Sequence, residues 1–158
     1  MKILGIDPGY ETVGFGVIEL VNSEWEAVDF GVIKTSKDLD FPERLLQIYD
    51  DLLVLINNFK PDLFAIEELF FVKNITNGLK VSEARGVMIL AARQNEIPIC
   101  EYAPNEVKMC VTGYGQAGKV QIQRTVQVTL NLAKKPQPDD AADALAIALT
   151  CGFDRVRI

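Results

Sequence analysis

The segment Met1-Lys2-Ile3-Leu4-Gly5-Ile6-Asp7-Pro8-Gly9-Tyr10 reads as a strand that ends on a carboxylate. Ile3, Leu4 and Ile6 form a short apolar run, and Pro8-Gly9 stops it and turns the chain. Asp7 therefore falls at the end of a buried strand, where a sheet meets solvent. An isolated Asp-Pro-Gly usually does no more than shape a turn. The weight of Asp7 depends on how many other carboxylates reach the same end of the same sheet.

Moving outward, Thr12 to Leu20 has strand character, and Gly14 and Gly16 within it point to close backbone approach or bending. Asn22-Ser23 is a turn, and Trp25 to Ile33 returns as a third strand. Pro42 opens a helix to about Asn58 with Leu45, Leu46, Ile48, Tyr49, Leu52, Leu53 and Ile56 on its apolar side. Leu63 to Ile66 is a second short buried strand, and it too ends in a carboxylate, Glu67. A loop at Lys73 to Gly78 leads to a helix expected from about Leu79 to Gln94. Small residues from Ser82 to Ala92 leave that helix thin, and its apolar residues lie on several sides, as in a central or interface helix. Pro98 to Tyr102 is a further strand. A short helix follows from Pro104, then a glycine-rich loop, a helix over Lys119 to Leu132, a rigid Pro136-Gln137-Pro138 linker and a last helix from Asp139 or Asp140 to near Gly152. A meander followed by alternating helices and strands predicts an α/β fold, a mixed five-stranded sheet with helices on both faces.

Composition narrows the chemistry. The 158 residues suit one domain over 1–158, with 49% apolar and 24% charged residues. No apolar run reaches membrane-span length, and the N-terminus enters a strand without a signal-peptide pattern. Cys100, Cys110 and Cys151 lack metal-site spacing and read as reduced thiols of a cytoplasmic protein. There is no histidine, so Ser-His and Cys-His catalysis and histidine-bound metals are excluded. The net charge is −6, unevenly spread. Residues 1–70 hold 14 acids and 5 bases, a balance of −9; residues 71–158 hold 8 acids and 11 bases, a balance of +3. Such asymmetry is compatible with an anion-binding face on an acidic body and equally with solvated helices.

Asp140 and Asp143 lie three apart at the start of the last helix, so both project from one face. The alanines between and after them let the helix backbone lie close to a sheet. Asp139 is the expected helix cap. Asp7, Glu67, Asp140 and Asp143 can thus converge, and four gathered carboxylates repel unless cations neutralise them. Oxygen donors without His or Cys favour Mg²⁺, with Mn²⁺ as a substitute. Two such ions about 4 Å apart activate water and stabilise a leaving oxygen in phosphodiester hydrolysis.

Leu4-Gly5-Ile6-Asp7-Pro8-Gly9, Ala65-Ile66-Glu67, Ala84-Arg85-Gly86-Val87 and Asp140-Ala141-Ala142-Asp143-Ala144-Leu145-Ala146 closely resemble the RuvC family of the RNase H-like superfamily, over nearly the whole chain and in order. The resemblance implies a homodimeric, Mg²⁺-dependent endonuclease that resolves four-way (Holliday) DNA junctions by symmetric nicking in recombination and repair. It implies Asp7, Glu67, Asp140 and Asp143 as catalytic, metal-binding acids. Lys108 and Lys119 match basic residues near the scissile phosphates, and Phe70 matches an aromatic that stacks on bases. The plain alternative for Phe70 is core packing. The small-residue helix around Ala84 to Ala92 would lie at or near a dimer interface, and a RuvA-RuvB branch-migration complex is an implied partner. Two departures stand out: family members are often more basic than this chain, with its pI of about 4.7, and Glu68 adds an acid beside Glu67.

Rival readings have specific weaknesses. Gly113 to Lys119 fits G-x-x-x-x-G-K, but Val120 stands where a P-loop needs Ser or Thr, and the preceding segment looks helical. An actin-like ATPase needs two such domains. A relaxed, phage-like branched-DNA nuclease and an RNase H-like nuclease acting on ribosomal RNA precursors remain as alternatives. A junction-binding module with a decayed site is disfavoured because all four acids are present.

Overall fold

A computed structural model describes residues 1–70 and 74–156. Five strands form one mixed sheet in the order β3-β2-β1-β4-β5. β1 (Lys2–Asp7) pairs antiparallel with β2 (Thr12–Val21), which pairs antiparallel with β3 (Glu24–Lys34). On its other side β1 pairs parallel with β4 (Leu63–Glu67), and β4 with β5 (Ile99–Tyr102). The crossovers are α1 (Phe41–Phe59) and α2 (Ile75–Gln94); α3 (Pro104–Thr112), α4 (Lys119–Thr129) and α5 (Asp139–Arg155) follow β5. The expected mixed sheet with helices on both faces is therefore present.

Strand parity divides the core in two. Leu4, Ile6, Val13, Val17, Phe64 and Ile66 face α1 and α2, where Ile48, Leu52, Met88 and Ala91 meet them. Ile3, Ala65 and Cys100 face α5, whose Leu145, Ile147 and Leu149 are buried with them. Three glycines set how close α5 comes. A Cβ on Gly5 or Gly14 would collide with the carbonyl oxygen of Ala144 or Asp140, and one on Gly16 would sit 2.8 Å from Leu145 Cδ2. The alanine face of α5 supplies the matching thinness, and the helix backbone lies directly on β1 and β2.

Local signals account for most boundaries. Asp40 caps α1 by accepting the Glu43 N–H at 2.9 Å, and Lys60 ends it in the left-handed conformation. α2 begins earlier than the expected Leu79, because the Asn74 side chain caps it by accepting the Asn77 N–H at 3.2 Å. Lys73, where the loop was expected to begin, lies outside the described residues. α4 stops at Thr129, short of Leu132, and α5 runs past Gly152 to Arg155. The small residues of α2 are split: Ala84, Ala91 and Ala92 are buried inward, whereas Ser82 and Gly86 face solvent. The three cysteines are free thiols. No helix of the described residues is long and apolar enough to cross a membrane.

Candidate active site

Asp7 and Glu67 end neighbouring parallel strands whose register pairs Ile6 with Ile66. By alternation Asp7 shares the face of Ile3 and Gly5, and Glu67 that of Ala65, so both point to the α5 side. Gly14 is the strand partner of Asp7, and the first turn of α5 rests on it. Asp140 and Asp143 therefore descend from α5 onto the same sheet edge, and all four predicted acids share one region.

Their electrostatics record that convergence. Burial, then Glu67, Asp143 and Asp140, push the Asp7 carboxyl up to about 8, against a lowering by Lys119. Burial, then Asp143, push Glu67 up to about 7, against Lys108. Burial also raises Asp143; Lys119 opposes it, while Asp140 and Asp139 add to it. Among the described residues, no three acidic, histidine or cysteine side chains are drawn together tightly enough to form a ligand cluster as they stand. The donor chemistry nonetheless fits a hard divalent cation: oxygen donors only, partly buried, in a negative field that Lys108 and Lys119 offset only in part.

Lys108 on α3 and Lys119 at the first position of α4 line a pocket of about 330 Å³ together with Glu67 and Asp143. Both predicted lysines thus stand beside the acids. The G-x-x-x-x-G-K stretch is the link between α3 and α4, preceded by a helix, so it lacks the strand–loop–helix setting of a P-loop. Phe70 is 58% exposed and lines a separate apolar hollow with Leu69, Ile75 and Leu79, which removes the core-packing reading.

Three residues acquire roles that sequence patterns did not assign. The expected cap role of Asp139 is corrected: Pro138 occupies the cap position, without a side-chain cap bond. The Asp139 carboxylate turns sideways, accepting from Gln123 Nε2 at 2.6 Å and facing Lys119 Nζ at 3.5 Å. Gln123 itself is buried. Arg85 on α2 donates its Nε–H to the Glu67 carbonyl oxygen at 2.8 Å and pairs with Glu101, which fastens the end of β4. The motif Ala84-Arg85-Gly86 was the only signal pointing at it.

The family model "Crossover junction endodeoxyribonuclease RuvC" matches residues 3–151. A protein of that name from Thermotoga petrophila is 53% identical over 148 residues, covering 94% of this chain and 90% of that one. Its counterpart from Petrotoga mobilis is 51% identical over 152 residues, covering 96% and 93%. The structure of Thermus thermophilus RuvC in complex with Holliday junction substrate superposes with a TM-score of 0.92 at 35% identity, covering 98% of this chain and 94% of that one. The sheet order and helix placement are accordingly those of an RNase H-like fold. On sequence and fold, the chain belongs to the RuvC family.

Proposed function

We propose that the chain is a crossover junction endodeoxyribonuclease that resolves Holliday junctions by paired, symmetric nicks. One observation carries the reading: two strand-end carboxylates, Asp7 and Glu67, share the sheet face onto which α5 lowers Asp140 and Asp143. The relative solved with a Holliday junction substrate supports the choice of DNA.

Asp7, Glu67, Asp140 and Asp143 would hold Mg²⁺, two ions per site, with Mn²⁺ able to replace it. Such ions supply activation of water for attack on phosphorus and stabilisation of the departing oxygen. The chain's own residues do the rest. Partial burial of Asp7 and Glu67 strips part of their hydration, which leaves their charge for a cation to neutralise. Lys108 and Lys119, on the pocket wall, neutralise the phosphate of the strand to be cut. Phe70, exposed three residues beyond Glu67, offers a ring on which a base near the crossover stacks. Arg85 keeps Glu67 in register with Asp7.

Symmetric nicking needs two sites. The outer face of α2 carries Ile75, Leu79, Ser82, Gly86 and Leu90 at helical spacing, with open space over Gly86. A two-fold partner docked there would place two sites about one axis, the symmetry of the junction itself. Coupling to a RuvA-RuvB branch-migration complex belongs to the same proposal.

The test is cleavage of a labelled mobile four-way junction, beside three-way and linear controls, in Mg²⁺, Mn²⁺ and EDTA. Paired nicks confined to the four-way substrate and to metal are expected. Equal cutting of the three-way control would replace the reading with a relaxed branched-DNA nuclease, and inertness toward all of them would reject it.

A further inference from the structure

Lys119 has two sets of partners. Its ammonium lies 3.5 Å from Asp139 Oδ2, and it also lines the pocket that holds Glu67 and Asp143. The lysine side chain is 70% exposed, so its own packing does not choose between the two.

Asp139 differs, because its other oxygen is anchored. Gln123 stands one turn beyond Lys119 on α4, on the same face, and is only 7% exposed. Its amide donates to Asp139 Oδ1 at 2.6 Å. The carboxylate is thus fixed by a buried group before it meets the lysine, so the pair costs less ordering entropy than two free surface chains. Without that anchor, a flexible ammonium beside several carboxylates would settle among them. Any ion entering the site would then have to displace it.

We propose that Asp139, held by Gln123, is a positioning residue that parks Lys119 at the rim of the acidic site, leaving the carboxylates free for a divalent ion and the ammonium free for a phosphate. The proposal rests on the reading of Asp7, Glu67, Asp140 and Asp143 as the metal-binding set.

The experiment is Mn²⁺ binding to the full chain without DNA, followed by the electron paramagnetic resonance signal of free Mn²⁺. Wild type, Asp139→Asn, Lys119→Gln and the double variant form a cycle. Asp139→Asn alone should weaken Mn²⁺ binding roughly fivefold or more, yet by only about twofold in the Lys119→Gln background. Gln123→Leu should weaken it too, and should lose that effect when Lys119 is absent. Equal losses in both backgrounds would mean that Asp139 acts only through its own charge or its place in the helix, and would overturn the proposal. Asp7→Asn is the control for the underlying reading. If that substitution leaves Mn²⁺ affinity unchanged, or wild type binds no Mn²⁺, the metal-site assignment falls and the positioning role falls with it.

Discussion

Gly14 and Asp140 meet backbone to backbone: a methyl group on Gly14 would strike the Asp140 carbonyl. Gly14 is also the strand partner of Asp7. One missing side chain therefore sets the distance between the acid of β1 and the acids of α5. Gly14→Ala should push α5 off the sheet, costing about 2–3 kcal/mol and lowering Tm by roughly 5–10 °C. Junction cleavage should fall further than stability alone explains, measured on protein held well below its Tm.

Asp7 gives a pH signature. Its carboxyl is raised from 3.8 to about 8 in the fold, so the folded state holds a proton that the unfolded chain releases. Its contribution to stability is complete below pH 4 and is lost as pH rises through 8. Metal-free protein should be more stable at pH 5.5 than at pH 8, by on the order of 2 kcal/mol. Mg²⁺ should recover much of the loss at pH 8. Asp7→Asn should make the profile shallower, leaving the share that Glu67 contributes, abolish cleavage and keep junction binding. Normal cutting by that variant would remove Asp7 from the site.

Lys108 opposes the rise of Glu67 and Asp143. Lys108→Ala lets both carboxyls hold their protons to higher pH, so the acid limb of the cleavage profile should move upward. If the lysine also meets a phosphate, the slope of log binding constant against log salt should fall by about 1. An unchanged acid limb would count against its place beside the acids.

Arg85 ties the Glu67 carbonyl to Glu101. Arg85→Leu should cost about 1.5–3 kcal/mol by stripping a charge-assisted bond from a half-buried carbonyl. Single-turnover cleavage should slow while the dissociation constant for the junction stays within a factor of about three, because the residue acts through Glu67.

The outer face of α2 is tested by Leu79→Asp. Leu79 is 60% exposed, so the change costs the isolated fold little. Sedimentation should shift from dimer to monomer, and paired nicks should give way to single ones. A wild-type monomer at micromolar concentration would remove the two-fold model.

Local chemistry was legible wherever it depends on neighbours in the chain. Ile3 to Asp7 and Leu63 to Glu67 show strand character and a carboxylate end within a handful of residues. The pairing of Asp140 with Asp143 follows from helical spacing. Misreadings arose at a polar helix start that resembles loop and where a distant residue decides. The polar start Asn74 to Gly78 looks like loop, and its helix is secured by the Asn74 cap. Asp139 reads as a cap, but Gln123, brought over by packing of α4 on α5, takes its carboxylate.

The sequence by itself determined which acids are available to gather and their geometry along each element. The absence of histidine restricts the site to carboxylates and lysines, and the period of two places Asp7 with Gly5 and Glu67 with Ala65. Only the tertiary structure decided that these faces coincide and are buried. The glycines of β1 and β2 admit α5 to backbone contact, and that approach brings Asp140 and Asp143 to the strand ends. The upward shift of Asp7 follows from the same contact: desolvation and repulsion between carboxylates depend on distance in space, which no spacing along the chain encodes.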